Sequence, residues 1–148
     1  MSRDHKPSDT DESERITNAG GRIDSYRDNK GNKVGPERVW LLNEDIPGLA
    51  MSRSFGDTVA SSVGVNAIPE QFEFLLGPDD KVIVLASDGV WEFISNEEVA
   101  SIIYPFYLQK NAEKAAETLV RAAFKRWKQE ESYSIDDITC IVIFIEIK

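Results

Sequence analysis

Two apolar runs in this chain each carry an aspartate at one tip, and they constrain the fold more than any other feature. The first, V-I-V-L-A-S-D-G at residues 82–89, ends beside Asp88. The second, S-I-D-D-I-T-C-I-V-I-F-I at residues 134–145, opens with Asp136 and Asp137. Apolar runs of this length are most easily buried as inner strands of a sheet. If the two lie side by side and antiparallel, the end of one meets the start of the other, and Asp88 and Asp136 converge. Two carboxylates fixed at one point repel unless a cation sits between them. All-oxygen ligation favours Mg2+, Mn2+ or Ca2+.

The helices that would cover such strands are legible from periodicity. Residues 111–131 place Ala112, Ala115, Ala116, Leu119, Val120, Ala123 and Trp127 at helical spacing, with Lys, Arg and Glu opposite. Ser95 and Glu98 form a capping box ahead of Val99, Ile102, Ile103 and Phe106, in a helix that Pro105 is expected to end or bend. Residues 8–19 read as a shorter helix, with Ser8 and Asp11 as an acidic variant of the capping pattern and Gly20-Gly21 as the stop. Strand signals begin at residues 22–24, recur at 39–42, and recur again at 69–76, where Phe72, Phe74 and Leu76 alternate. Residues 26–38 read as a loop or irregular flap, and 46–51 as an apolar run broken by Pro47-Gly48. This mixture predicts an α+β domain over 1–148, with helices covering antiparallel sheet and no linker or repeat dividing it.

Composition narrows the function. At 148 residues and 41% apolar content the chain can build a sizeable core. The net charge is −9, and residues 39–148 hold nine basic against eighteen acidic groups. No basic stripe is present to track phosphates, which argues against a nucleic-acid partner. No apolar stretch reaches the length of a membrane span, and the charged residues 1–11 do not form a signal peptide. Cys140 is the only cysteine, so no internal disulfide forms; a reducing, intracellular location, cytoplasmic and/or nuclear, is expected. His5 is the only histidine, which disfavours zinc.

Each motif also has an ordinary structural reading. S-D-G and D-D both serve as turns, and only their joint attachment to apolar strands points to a shared site. In S-R-S-F-G-D, residues 52–57, Arg53 and Asp57 are four apart and expected to pair across a loop, with phosphate binding by Arg53 the lesser reading. His5 reads as a helix-entry turn residue, and Trp40, Trp91 and Trp127 as core.

Taken in order, D-H-K-P, E-R-I-T-N-A-G-G-R-I, G-L-A-M-S-R-S-F-G-D, V-I-V-L-A-S-D-G-V-W-E-F-I-S-N-E-E-V and D-D-I-T-C-I-V-I-F-I resemble the type 2C family of metal-dependent (PPM) protein serine/threonine phosphatases. The wording looks most like the plant and protist branches. The resemblance implies an α-β-β-α sandwich of antiparallel sheets flanked by helices, with a binuclear Mn2+/Mg2+ site. Asp88 matches the family's metal-binding S-D-G aspartate, Asp136 that of its late D-N-(I/M)-T motif, and Asp4 a ligand of a third ion. It further implies metal-assisted hydrolysis of phosphoserine and phosphothreonine in protein substrates, by in-line attack of hydroxide without a phosphoenzyme.

Two positions depart from the family pattern: Asp137 stands where asparagine is usual, and Glu92 where many members carry aspartate. The family's glutamate-aspartate metal motif, its D-G-H-G-G motif and its phosphate-binding arginine do not occur in this sequence. The resemblance is therefore to the C-terminal half of the catalytic domain. The expectation is a chain inactive alone, with the missing N-terminal half as a candidate partner. The competing expectation is a non-catalytic phosphatase-like binding module.

Overall fold

The computed structural model describes residues 2–131 and 133–146. The chain divides into two compact units, residues 1–72 and 73–148.

The first unit opens with helix α1 (Thr10–Asn18), followed by strands β1 (Gly21–Arg27), β2 (Lys33–Leu41) and β3 (Pro47–Leu49) and the short helix α2 (Thr58–Ser61). The strands form an antiparallel sheet in the order β1-β2-β3. Residues 26–38 are thus not a flap. They complete a hairpin in which Gly21 pairs with Leu41 and Arg27 with Lys33. Its turn was hard to foresee because one side chain organises it: the Asp28 carboxylate accepts the Lys30 and Asn32 amides at 2.8 and 2.9 Å. Ile16, Val39, Ala60, Val63 and Val65 form the core.

Helix α1 starts later than the Ser8 pattern predicts. Its N-cap is Asp9, which makes no side-chain capping bond, and Asp11 instead takes a bidentate pair of hydrogen bonds from Arg3 at 2.9 and 3.1 Å. Gly20, at φ +86°, provides the left-handed turn that leads from the helix into β1.

The second unit contains β4 (Val82–Ala86), α3 (Asp88–Trp91), α4 (Asn96–Leu108), α5 (Ala112–Glu130) and β5 (Cys140–Phe144). β4 and β5 pair antiparallel, from Val82 opposite Phe144 to Ala86 opposite Cys140. One face of this pair, with Val82, Val84, Ala86, Cys140, Val142 and Phe144, packs on a core built from Val90, Ile94, Val99, Ile103, Ala115, Leu119 and Ala123. Full burial of a side chain such as Leu119 stabilises by about 2 kcal/mol. The opposite face is open: Leu85 and Ile141 are each 56% exposed and Ile143 42%. The two apolar runs are therefore covered on one face only, not buried as inner strands.

The helix signals hold well. Ser95 and Glu98 form the reciprocal capping box, and the Asn111 side chain caps α5 by accepting the Lys114 amide at 2.9 Å. α4 nevertheless runs past Pro105 to Leu108. Its end comes from Lys110 at φ +55°, with the Asn111 amide bonded to Phe106 and the Lys110 amide to Tyr107, the Schellman pattern. Trp40 and Trp127 are buried, but Trp91 is 36% exposed and donates its indole N–H to the Ala86 carbonyl at 3.0 Å.

Residues 69–76 form no strand. Phe72, Phe74, Leu75 and Leu76 are exposed along this segment. Alternation makes a strand only where a neighbour accepts its ladder bonds, and none does so among the described residues.

Candidate metal centre

The end of β4 and the approach to β5 meet at one tip of the second unit. The last ladder pair is Ala86 opposite Cys140. Beyond it the Ser87 amide still bonds the Thr139 carbonyl, at 3.0 Å. Asp88 is the next residue on one side, and Asp137 and Asp136 lie just before Ile138 on the other. The antiparallel pairing thus brings Asp88 and Asp136 to the same end, as the strand pattern predicts.

Close packing defines this tip. The Ser87 hydroxyl donates to the Asp137 carbonyl at 3.0 Å and accepts the Thr139 amide at 3.2 Å. Gly89 is buried beneath the same segment. A Cβ there would collide with the Asp137 carbonyl oxygen and lie 3.1 Å from the Ile138 Cα. On its other side the Gly89 carbonyl accepts the Trp127 indole N–H at 2.8 Å, which ties α3 to α5. The glycine of S-D-G therefore allows close approach of two backbones; it does not serve a positive φ.

Asp88, Asp136 and Asp137 are all exposed. Among the described residues none of the three has an ion-pair partner within 4 Å. Asp136 Oδ1 accepts the Asp137 amide at 2.7 Å, which orients its carboxylate and leaves Oδ2 for another partner. Among the described residues no group of three or more His, Cys, Asp or Glu is placed to hold a metal ion. The donors present are hard carboxylate oxygens, which fit Mg2+ or Mn2+, but two of them fill only part of a six-coordinate shell.

Asp4 belongs to the first unit. It lies in the turn before α1, its side chain is 81% exposed, and Lys6 Nζ is 3.7 Å away. Its neighbour His5 anchors the chain through its carbonyl, which accepts the Ser52 amide at 3.0 Å.

A family model, "Protein phosphatase 2C", matches residues 1–131. The chain belongs to the protein phosphatase 2C family. It is 39% identical over 149 residues to a probable protein phosphatase 2C 72 of Arabidopsis thaliana, a match covering all of this chain and 43% of that protein. It is also 39% identical to a probable protein phosphatase 2C 64 of Oryza sativa, covering 98% of this chain and 33% of that one. A serine-threonine phosphatase 2C from Toxoplasma gondii superposes on 99% of this chain and 46% of its own, with a TM-score of 0.80 at 23% identity. A C. elegans sex determining protein matches with a TM-score of 0.71 at 20% identity. The mixed helices and antiparallel sheets are thus those of the 2C fold, and the chain spans less than half the length of these relatives.

Arg53, by contrast, is not paired with Asp57. It reaches the fully buried Glu12, with Nη2 2.5 Å from Oε1, and Glu70 at 3.3 Å. Arg15 clamps the same Glu12 carboxylate through Nη1 at 2.7 Å and Nη2 at 2.8 Å. Two arginines on one carboxylate, Arg15 foremost, hold Glu12 well below the usual carboxylate range despite its burial. Glu12 was legible only as the one carboxylate lying four residues from Ile16 on the helix face that is buried.

Proposed function

We propose that this chain is the C-terminal portion of a 2C phosphatase catalytic domain that hydrolyses phosphoserine and phosphothreonine in proteins with Mn2+ or Mg2+. Asp88 and Asp136 are metal ligands, and Asp4 is a ligand of a further ion. The observation that carries this reading is the pair of aspartates held at one end of β4–β5 with no cationic partner among the described residues. A divalent ion bound there supplies electrostatic stabilisation of the phosphoryl oxygens and an activated water. The chain's own residues orient: Asp136 is aimed by its bond from the Asp137 amide, and Asp88 is fixed at the start of α3.

The activity requires the remainder of the domain. The open face of β4–β5, with Leu85, Ile141 and Ile143, and the unpaired segment 69–76 have the character of sandwich surfaces awaiting strands. The N-terminal half of the domain is the partner that fits them. No helix among the described residues is long and apolar enough to cross a membrane. The reducing compartments of the cell, cytoplasmic or nuclear, suit the lone thiol Cys140, whose pKa burial pushes up.

Calorimetry with MnCl2 tests the site. The chain should bind Mn2+ weakly, and Asp88→Asn or Asp136→Asn should abolish that binding. Equal binding by all three would remove these residues from the site. Phosphopeptide hydrolysis should be negligible for the chain alone and appear when the N-terminal half is supplied. Robust turnover by the chain alone would overturn the need for that half.

A further inference from the structure

We infer that Ser87 is a positioning residue for the metal centre: its hydroxyl clasps the Asp136–Asp137 segment to the tip of β4 while its backbone turns Asp88 into α3. The inference rests on the reading of Asp88 and Asp136 as ligands and adds what sets their relative position.

The argument starts from what an antiparallel ladder requires. At the position after Ala86 and Cys140, the Ser87 amide donates to the Thr139 carbonyl at 3.0 Å. A regular ladder would return the Thr139 amide to the Ser87 carbonyl. That carbonyl instead accepts the Val90 amide at 3.0 Å, where the chain turns into α3. The Thr139 amide goes to the Ser87 hydroxyl instead, at 3.2 Å. One side chain thus replaces its own backbone oxygen in the ladder, and the strand pair stays closed while the chain turns.

The hydroxyl's second bond makes this more than a local repair. It donates to the Asp137 carbonyl at 3.0 Å, so it holds the main chain of the aspartate segment on both sides of Ile138. Serine at an N-cap usually spends its oxygen on the first turn of its helix. Ser87 is the N-cap of α3 and makes no such bond. Gly89 completes the clasp, since the Asp137 carbonyl occupies the space a Cβ would need. Hydrogen-bonded neighbours that orient ligands typically change metal affinity by about 10–100-fold when lost.

The test uses the whole chain with Ser87→Ala and Ser87→Thr, the latter keeping the hydroxyl. Amide hydrogen exchange at Thr139 reads the clasp without metal, and MnCl2 titration followed by electron paramagnetic resonance reads the site. Ser87→Ala should speed Thr139 exchange and weaken Mn2+ binding by about tenfold, and Ser87→Thr should restore both. Unchanged exchange at Thr139, or unchanged Mn2+ affinity in Ser87→Ala, overturns the inference. A wild-type chain that binds no Mn2+ while Thr139 still opens in Ser87→Ala would overturn the metal reading and leave the clasp supported.

Discussion

In the first unit two acidic side chains, Glu12 and Asp24, are each held by two cations, whereas the three at the tip of β4–β5 in the second have none among the described residues. Glu12 is fully buried yet held by Arg15 and Arg53. Asp24, bonded first by Arg27 and then by Lys33, is pushed down to about 2. Asp88, Asp136 and Asp137 have backbone and helix contacts but no cation among the described residues. Paired carboxylates contribute to folding. Exposed carboxylates at one tip without a cation beside them gain no such contribution.

The sharpest way to break this comparison is to remove Glu12. Glu12→Ala leaves two arginine head groups facing each other in a partly buried site and should destabilise the chain by about 3–5 kcal/mol. Chemical denaturation measures it. A loss below about 1 kcal/mol would show that the cluster is a solvated surface pair. A triple change to apolar residues at Glu12, Arg15 and Arg53 should recover much of the loss, because the desolvation cost disappears with the charges.

A smaller effect sets the apolar core of the second unit beside the ionic cluster of the first. Leu119→Ala in α5 opens a cavity beneath β4–β5 and should cost about 2–4 kcal/mol, with no dependence on salt. A loss that varied with ionic strength would mean that electrostatics, not packing, holds that helix.

Acid tests the Glu12 clamp directly. Glu12 has a folded value depressed from the ordinary 4.5, so its contribution is fully present above that value and is lost as pH falls through the folded one. Stability should therefore decline from about pH 5 downward, and Glu12→Gln should flatten that decline. A wild-type curve no steeper than that of Glu12→Gln would contradict the clamp.

The smallest effect is the most telling. Asp88→Asn and Asp136→Asn, singly or together, should leave stability without metal within about 0.5 kcal/mol of wild type. Asn keeps the oxygen that accepts the Asp137 amide. A loss comparable to that of Glu12→Ala would make these aspartates structural and dissolve the contrast.

Much of the second unit was legible because its signals are local. The capping box at Ser95–Glu98 and the apolar stripe through Leu119 and Trp127 are set within a turn or two of chain. The matched ends of residues 82–89 and 134–145 predicted the shared tip because an antiparallel pair has only one way to join them. The first unit was less legible. Arg53 was assigned Asp57, its near neighbour, when its partner lies 41 residues away on α1.

What the sequence by itself determined is the three longer helices, the pairing runs at residues 82–89 and 134–145, the order of the phosphatase motifs and the end of the sheet where the aspartates gather. Each of these follows from short-range periodicity, turn chemistry or motif wording. Only the tertiary structure decided that Glu12 is the buried hub, that residues 69–76 stay unpaired, and that the Ser87 hydroxyl stands in for a backbone carbonyl. Those outcomes depend on which distant group arrives to complete a hydrogen bond or a charge pair, and no local pattern records that arrival.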